Sequence, residues 1–592
     1  ILSIIVLVSQ FSFAGTTGKL AGRVTAKESG EPLIGANVMI EGSVLGAATD
    51  LDGNFYILQI PPGTYSIRFS MIGYQSLVIN DVRMMVDLTT TANGALSESA
   101  VGLEEVVVQA ERAMIQTDVT YSQANISSEE VDMLPVEEFE DVLALQAGVV
   151  MTGGEIHVRG GRGGEISYMI DGISVTDPYN SGLAVEIENN AIQELQFISG
   201  TFNAEYGQAM SGIVNIVTKD GNFSDYSGSL SLNQGGYNSG NTNIYPQIDR
   251  IDFNNISDIK GNVEGPIIPG KLSFFASGRF KRENGYLYGE KIFKPNSYAW
   301  SDELNYFHID PLVGLGNGSV PEDDLWLPIN YQDSLRTFIE SLRKKDEFDW
   351  VPMNWSEQFT WQGKLSWRLN PYIKISFNRM YSDTKSQDYS HEYRWNPDGR
   401  SNSFNTRIGD LIRADWSISQ STFANVMYSG TENHYRSHLS PDPAFWEQIK
   451  ENWASDSVYF STFDSNLYYV DPDIFLYSTG NNFYVGGQSM NVYSRKSTVN
   501  TLKAEITSQI NKEHQLKIGI ESRKTKITLS DLQVHNSSNT DNQPRYYAPL
   551  ISPNNNSFGR DGRTPVELSG YFQDKIEQDQ MVVNLGVRFD YF

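Results

Sequence analysis

The stretch that decides the fold runs through residues 103–221 and contains four short segments. The first is Leu-Glu-Glu-Val-Val-Val-Gln-Ala (103–110), and the second is Val-Arg-Gly-Gly-Arg-Gly-Gly (158–164). Ile-Asp-Gly (170–172) follows, and Glu-Tyr-Gly-Gln-Ala-Met-Ser-Gly-Ile-Val-Asn-Ile-Val-Thr-Lys (205–219) closes the region. Short β-type runs separated by glycines, with two helix patterns between residues 127 and 148, predict a small mixed α/β domain.

Together these segments resemble the energy-coupling box and the plug domain of TonB-dependent outer-membrane receptors. The resemblance assigns the box to Glu104, Glu105, Val106, Val107 and Val108. It assigns the plug motif to Arg159, Gly160, Arg162, Asp171, Gly172, Tyr206 and Gly207. In that family the box implies an extended segment that adds to a sheet edge of a TonB-type protein. The alternatives are that 106–108 is the last strand of the preceding domain or simply the first strand of the plug.

The glycine-rich segment 160–164 also permits a phosphate-loop interpretation. It lacks the Gly-Lys-Ser/Thr ending that such a loop needs, so a nucleotide site is disfavoured. We instead expect Arg159 and Arg162 to hold the plug against acidic residues of a surrounding wall, because wet ion pairs are individually weak and can open.

Residues 15–98 alternate short β-type runs with Gly and Pro turns, which predicts a β-sandwich. They also resemble the carboxypeptidase regulatory-like domain, through Gly30-x-Pro32-Leu33-x-Gly35 and Thr49-Asp50-x-x-Gly53-x-Phe55. That module is not the catalytic part of a carboxypeptidase, and no His precedes His157 to form a His-based zinc site. Residues 1–14 indicate the end of a secretory signal, and residues 99–113 a linker that carries the box.

Residues 222–592 alternate apolar and polar side chains. Near the end, Val583, Leu585, Val587 and Phe589 interleave with Asn584, Gly586, Arg588 and Asp590. A soluble sandwich gives this pattern, and so does an outer-membrane barrel with lipid outside and a polar lumen inside. Short turns alternating with long loops at 283–359, 437–482 and 531–565 favour the barrel. Trp367, Tyr571 and Phe592 are candidates for interfacial aromatic girdles.

The fold class predicted is therefore mainly β: an N-terminal β-sandwich, a mixed α/β plug domain at 114–221, and an incomplete transmembrane antiparallel β-barrel. The barrel is expected to be incomplete because a plugged transporter needs about 22 strands, more than residues 222–592 offer.

Composition limits the classes of function. The chain has 45 basic and 72 acidic residues, a net charge of −27, which argues against a nucleic-acid partner. Cysteine is absent, so disulfides and thiolate metal sites are excluded within these residues. No catalytic constellation, metal site or cofactor motif emerges. His434 and His438 are four apart in a strand-like segment, which separates them too far for one metal.

We therefore expect TonB-dependent active import across the outer membrane, with the sandwich and plug on the periplasmic side. The partners implied are a TonB-type energy-coupling protein, outer-membrane lipid and an unidentified extracellular substrate. After Val108 the sequence lacks the Gly-Tyr-Gly continuation associated with the glycan-importing SusC-like branch, which disfavours a glycan. The alternative is a non-transporting surface or assembly barrel that reuses the plug.

Overall fold

A computed structural model describes three regions in chain order, a sandwich, a plug and a wall. The described residues are 16–43, 45–98, 106–109, 122–136, 138–200, 202–293, 348–439, 491–511, 513–534, 562–578 and 581–592, with short pieces at 298–301, 306–309, 326–328, 340, 344, 478–479, 483–484, 489 and 549–550. The predicted secretory signal, Glu104 and Glu105 lie outside them.

The N-terminal region is a β-sandwich, as the sequence predicts. Its strands are β1 (Gly18–Ala26), β2 (Asn37–Ile40), β3 (Gly46–Ala48), β4 (Asn54–Ile60), β5 (Gly63–Ser70), β6 (Leu77–Met84), β7 (Thr89–Thr91), β8 (Gly94–Leu96) and β9 (Val106–Gln109). One sheet has the order β3-β2-β5-β6-β9, and the other has β4-β1-β7 with β8 also paired to β1. Leu20, Val38 and Phe69 lie fully buried between the sheets. The sandwich thus includes a strand beyond the predicted boundary at residue 98.

The plug is a mixed α/β domain. Its elements are β10 (Ser122–Ser127), α1 (Ser128–Met133), α2 (Phe139–Ala144), β11 (Val149–Thr152), β12 (Glu155–Val158), β13 (Ile166–Ile170), β14 (Ile173–Ser174), β15 (Ile192–Ser199) and β16 (Gly212–Thr218). Its main sheet has the order β10-β15-β16-β13-β14. Helix α1 starts with a capping box, because Ser127 Oγ accepts the Glu130 N–H and the Glu130 carboxylate accepts the Ser127 N–H. Neither described helix is long and apolar enough to cross a bilayer.

The remaining described strands belong to the wall and to its long connections. They are β17 (Ser227–Gly235), β18 (Ile256–Ile268), β19 (Leu272–Glu283), β20 (Tyr288–Lys291), β21 (Tyr298–Ser301), β22 (Tyr306–Ile309), β23 (Trp326–Pro328), β24 (Asp349–Pro352), β25 (Ser356–Asn370), β26 (Ile373–Ser386), β27 (Asn402–Ser417), β28 (Thr422–His438), β29 (Ser478–Thr479), β30 (Phe483–Tyr484), β31 (Asn491–Gln509), β32 (His514–Val534), β33 (Pro549–Leu550), β34 (Val566–Gln578) and β35 (Met581–Tyr591). The long strands form one antiparallel sheet in the order β17-β18-β19-β25-β26-β27-β28-β31-β32-β34-β35. Short turns join them at one end and long connections at the other, which confirms the predicted barrel type.

The two faces of the wall differ in polarity. Lys364 points inward and is buried, whereas Trp367 and Phe592 are 47% and 77% exposed. Tyr571 is an exception to the predicted girdle, since it is 5% exposed and its hydroxyl donates to Glu505. Alternation along β34 puts Tyr571 on the inner face, so it belongs to the lumen and not to the lipid interface.

Candidate functional site

The plug lies against the inner face of the wall and contacts it mainly through ion pairs of one polarity. The carboxylates belong to the plug, and the cations belong to the wall. The pairs are Glu138 with Arg279 and Lys281, Asp171 with Lys364, Glu186 with Arg407, Glu188 with Arg279, Glu205 with Lys517, and Asp220 with Lys364 and Lys374. A smaller apolar contact brings Met380, Leu411 and Met427 against the plug core. The plug is therefore an acidic body seated in a basic wall.

This polarity is the opposite of the prediction, in which the plug residues Arg159 and Arg162 supply the cations and the wall supplies the acids. Both side chains are exposed, and neither forms an ion pair with a described wall residue. Arg159 follows β12 with φ +50°, next to Gly160 at φ +78°, and its N–H donates to Gly148 O at 2.7 Å. The N–H of Arg162 donates to the carboxylate of Glu165 at 3.1 Å. These residues shape a local turn, and the anchoring comes from other side chains.

Arg279 in β19 forms the most buried of the anchoring contacts. Its guanidinium holds Asp258 of the wall in two hydrogen bonds of 2.8 and 2.9 Å. It also donates to Glu138 at 3.0 Å and to Glu188 at 3.3 Å, both on the plug. Burial raises the pKa of Glu188 to about 7, although the adjacent Arg279 opposes this rise. One wall cation thus joins two plug segments to the wall.

The predicted motif residues Asp171 and Gly172 form the turn between β13 and β14, with φ of +48° and +84°. The Asp171 carboxylate accepts the N–H and the hydroxyl of Thr218 at 2.8 and 2.7 Å, and Lys364 Nζ at 3.0 Å. From the other side, Lys503 Nζ donates to the Gly172 carbonyl at 3.1 Å. The turn is therefore attached to β25 and β31 of the wall at once.

Asp220 marks the exit from the plug into the wall. It pairs with Lys364 at 2.9 Å and also with Lys374. Burial would raise its pKa, but the two lysines hold the pKa well below its usual range. Asp220 therefore stays ionised at the junction.

The segment around Gly207 is attached to the last described strands of the wall. Glu205 accepts Lys517 Nζ at 2.7 Å, and Arg588 donates to the Glu205 carbonyl at 3.1 Å. Burial would raise the pKa of Glu205, but Lys517 brings it below its usual value. The guanidinium of Arg588 lies against Gly207 so closely that an added Cβ would stand 2.5 Å from it. A side chain at position 207 would therefore displace the Arg588 guanidinium from its present position.

The sandwich docks onto the plug through residues 83–89, which are the last two residues of β6 and the segment that follows it. Arg83 forms a two-bond ion pair with Glu130 of α1, at 3.0 and 3.1 Å. The N–H of Val86 donates to Glu194 of β15 at 2.9 Å. Glu194 is 1% exposed, and burial raises its pKa to about 7. The contact therefore combines a partly exposed ion pair, between Arg83 and Glu130, with the buried carboxyl group of Glu194.

Three further hydrogen bonds hold the sandwich in place. The hydroxyl of Tyr206, a predicted motif residue, donates to Asp87 at 3.3 Å. Lys19 Nζ and the Thr89 hydroxyl donate to Glu577 of β34 at 2.6 and 3.0 Å. The sandwich therefore bridges the plug and the short-turn end of the wall.

The structure places the valines of the predicted box in β9. This strand pairs in parallel with β6, from Leu77 opposite Val106 to Asn80 opposite Gln109. The three valines are 41–58% exposed. The box segment is thus the edge strand of the sandwich, which is one of the arrangements that the sequence left open.

At the long-connection end, the plug presents Tyr179 beside the wall. Asp177 is fully buried and holds the loop, since its carboxylate accepts the Tyr179 N–H at 2.8 Å and Asn433 Nδ2 at 2.5 Å. The Tyr179 ring lies 4.5 Å from the Arg495 guanidinium, and the Tyr493 hydroxyl donates to the Tyr179 hydroxyl at 3.4 Å. Sequence reasoning missed this cluster, because its members are hundreds of residues apart and carry no local motif.

The docking of the sandwich is expected to strengthen as pH falls. In the docked state the pKa of Glu194 is about 7, and burial also raises the pKa of Asp87. Undocking exposes these acids and returns the pKa of Glu194 toward 4.5. The docked state therefore binds more protons, so docking is favoured at low pH and loses this contribution as pH rises from about 4.5 to about 7. Arg83 stays charged throughout and does not offset the effect.

Spin labels on the double variant Leu51→Cys and Ile418→Cys, one exposed on the sandwich and one at a wall turn, would report this docking as a distance distribution. A narrow distribution at about pH 5 should broaden by about pH 8. Glu194→Gln is the control and should remove most of the pH dependence. Tighter docking at the higher pH would contradict the assignment.

Two family profiles match the chain. The CarboxypepD_reg-like domain matches residues 20–108, and the TonB-dependent Receptor Plug Domain matches residues 115–214. The first match includes the valines of β9, in agreement with their place in the sandwich sheet.

Among similar proteins is the TonB-dependent transporter Oar of Myxococcus xanthus, 26% identical over 38% of this chain and 23% of its own length. The TonB-dependent receptor P26 of Formosa agariphila is 24% identical over 76% of this chain and 43% of its own. The TonB-dependent receptor SusC of Bacteroides thetaiotaomicron is 31% identical over 35% of this chain and 22% of its own. The chain thus spans less than half the length of these relatives. The chain therefore carries a TonB-dependent receptor plug domain behind a CarboxypepD_reg-like domain, and in these domains and in the plug seated against an antiparallel wall it is similar to TonB-dependent receptors.

Proposed function

We propose that this chain serves active import across the outer membrane, gated by the plug and energised from the inner membrane through a TonB-type protein. The observation that supports this is the mainly polar seat of the plug. Water can replace ion pairs such as Asp171–Lys364 when the plug moves, whereas a wholly apolar seat would have to be exposed to water. The plug can therefore leave its position and return.

Under this proposal, three different parts of the protein contact its partners. The energy-coupling protein binds the box at Glu104, Glu105 and the valines of β9. Outer-membrane lipid covers the apolar outer face of the wall. The substrate approaches from the long-connection end, where Tyr179 and Arg495 offer stacking surfaces and a cation.

Transport is favoured over the alternative of a non-transporting barrel. The printed name of the Myxococcus relative is that of a transporter, and the other relatives are named as TonB-dependent receptors. A structural barrel needs no energy-coupling box, so a test of whether the box is functional discriminates between the two functions.

Deleting residues 104–110 from the full-length receptor should weaken binding of the periplasmic domain of a TonB protein by about tenfold or more, because the deletion removes the strand that the partner pairs with. The measurement is calorimetric or surface-based titration with the purified receptor. Deleting residues 42–43 from a sandwich turn is the control and should leave binding unchanged. Binding that survives the first deletion would refute the box assignment and favour the structural barrel.

A further inference from the structure

We propose that the energy-coupling protein adds a strand to the free edge of β9 while β9 stays paired with β6. The sandwich and the box then move as one unit, and the pull reaches the plug through residues 83–89. This inference rests on the proposed function, because it requires an energy-coupling protein that binds the box.

The first observation is the free edge. Strand β9 ends its sheet, and the described residues place no strand on its outer side. The Val106 N–H donates to Ser76 O at 3.0 Å, toward β6. Successive N–H groups of a strand point to opposite sides, so the Val107 N–H points to the free edge. An edge of three valines without Lys or Pro lacks the usual protection against strand addition. These are the features that a partner strand recognises.

The second observation is that β9 is firmly held. Four consecutive register pairs join it to β6, and the Gln109 side chain donates to Asp81 at 3.1 Å. Detaching the box would break this ladder and leave the β6 edge unpaired. Adding a strand to the outer edge of β9 keeps the ladder with β6 intact and leaves the β6 edge paired. The partner can therefore bind without separating the box from the sandwich.

The third observation is the path from β6 to the plug. The docking segment 83–89 begins inside β6 and continues directly beyond the end of the strand at Met84. The Arg83 guanidinium forms an ion pair with Glu130 on α1, and the Val86 N–H donates a hydrogen bond to Glu194 on β15. A pull on β9 is carried by the β6 ladder to these two plug elements. Meanwhile the ion pair between Lys19 and Glu577 ties the sandwich to the wall, so it must open before the unit can move.

A disulfide formed in the double variant Ile79→Cys and Val108→Cys tests whether the box stays in place. These residues are direct register partners, and the chain contains no other cysteine. With the full-length receptor, the periplasmic domain of a TonB protein should bind the oxidised and reduced forms equally, within about twofold. A loss of about tenfold on oxidation, restored by dithiothreitol, would show that the box must detach and would overturn the inference. The double variant Leu77→Cys and Val106→Cys provides a second disulfide at another register pair.

Val107→Pro tests the free edge. Proline removes the outward N–H but is tolerated at an edge position whose N–H makes no ladder bond. Binding should weaken by about tenfold or more, whereas Val107→Thr, which keeps the N–H and the branched side chain, should bind within about twofold. Unchanged binding by the proline variant would overturn the inference. If deletion of 104–110 abolishes binding but a disulfide also blocks it, only this inference fails; if the deletion has no effect, the proposed function fails as well.

Pulling on the receptor through the bound partner domain tests the path. Arg83→Met should lower the force of the first rupture, because it removes the ion pair to the plug. Arg68→Met is the matched control, since Arg68 pairs with Glu41 at 2.5 Å on the exposed surface of the same sandwich. Equal rupture forces in the two variants would show that the pull bypasses residues 83–89.

Discussion

Replacing Arg279 with methionine is expected to lower the free energy of local opening of the plug by about 3–5 kcal/mol, since it removes one partner of a buried ion-pair cluster. The side chain of Arg279 is fully buried, and its partners Asp258 and Glu188 are almost completely buried. Without the guanidinium, both carboxylates remain in a poorly hydrated site with no cation. Hydrogen exchange of β15 should accelerate by about two to four orders of magnitude.

Lys281→Met is the matched control for this variant. Lys281 lies on the same strand and contacts the same Glu138, at 3.3 Å, but its side chain is 23% exposed. Its loss should cost about 1 kcal/mol or less. Adding Asp258→Asn and Glu188→Gln to Arg279→Met should recover most of the stability, because no uncompensated charge then remains. A small effect of Arg279→Met alone would mean that the cluster does not hold the plug.

Replacing Lys364 with methionine is expected to destabilise the junction between plug and wall by about 3 kcal/mol, at the lower end for a broken buried pair. Lys364 is buried and joins Asp171, Asp220 and the Thr218 hydroxyl, the last at 2.8 Å. The effect is smaller than for Arg279 because Asp171 keeps its hydrogen bonds from Thr218, and Asp220 keeps Lys374. Exchange of β13 and β16 measures it.

The acid side of the pH profile provides a second measurement for Lys364→Met. The depressed pKa of Asp220 contributes stability that is present above its ordinary value of 3.8 and is lost as pH falls toward its folded value. Removing Lys364 should therefore flatten the acid dependence of junction opening. Lys374→Met, at a residue 26% exposed, should have the smaller effect on stability. A larger loss of stability in Lys374→Met than in Lys364→Met would mean that Lys374 contributes more to the stability of the junction.

The wall was predictable from sequence because its information is local. Alternation such as that between Lys364 and Trp367 assigns each residue to a face without knowledge of its neighbours in space. The capping box at Ser127 and Glu130 was local in the same way, and it fixed the start of α1. Tyr571 was misplaced because an aromatic residue suits either the lipid interface or a packed lumen, and only its position in the alternation decides.

The seat of the plug was not predictable, because its pairs join distant parts of the chain. Asp171 and Lys364 are 193 residues apart, and each looks like an ordinary charged residue in its own segment. Arg159 and Arg162 were predicted to anchor the plug because they lie in a glycine-rich segment. That glycine-rich context indicates a turn and carries no information about an ion pair with the wall. The sequence feature that could have indicated a basic inner face of the wall is the repeated placement of Arg and Lys on the polar positions of its strands.

The box presented a different difficulty. The branched residues 106–108 predicted a strand, and the structure has one, but its pairing partner could not be read from the sequence. Parallel pairing of Val106 with Leu77 depends on how the sandwich folds and not on any turn between them.

The reversed polarity of the plug seat has a consequence for the open state. The carboxylates of the plug act as fixed counter-ions of the cations on the wall, among them Arg279, Lys364, Arg407 and Lys517. In the proposed transport cycle, moving the plug would therefore be an ion-exchange step, in which mobile anions or an anionic solute take the place of those carboxylates. Salt screens the hydrated part of this attraction, so raising the ionic strength eases the exchange and lowering it opposes the exchange.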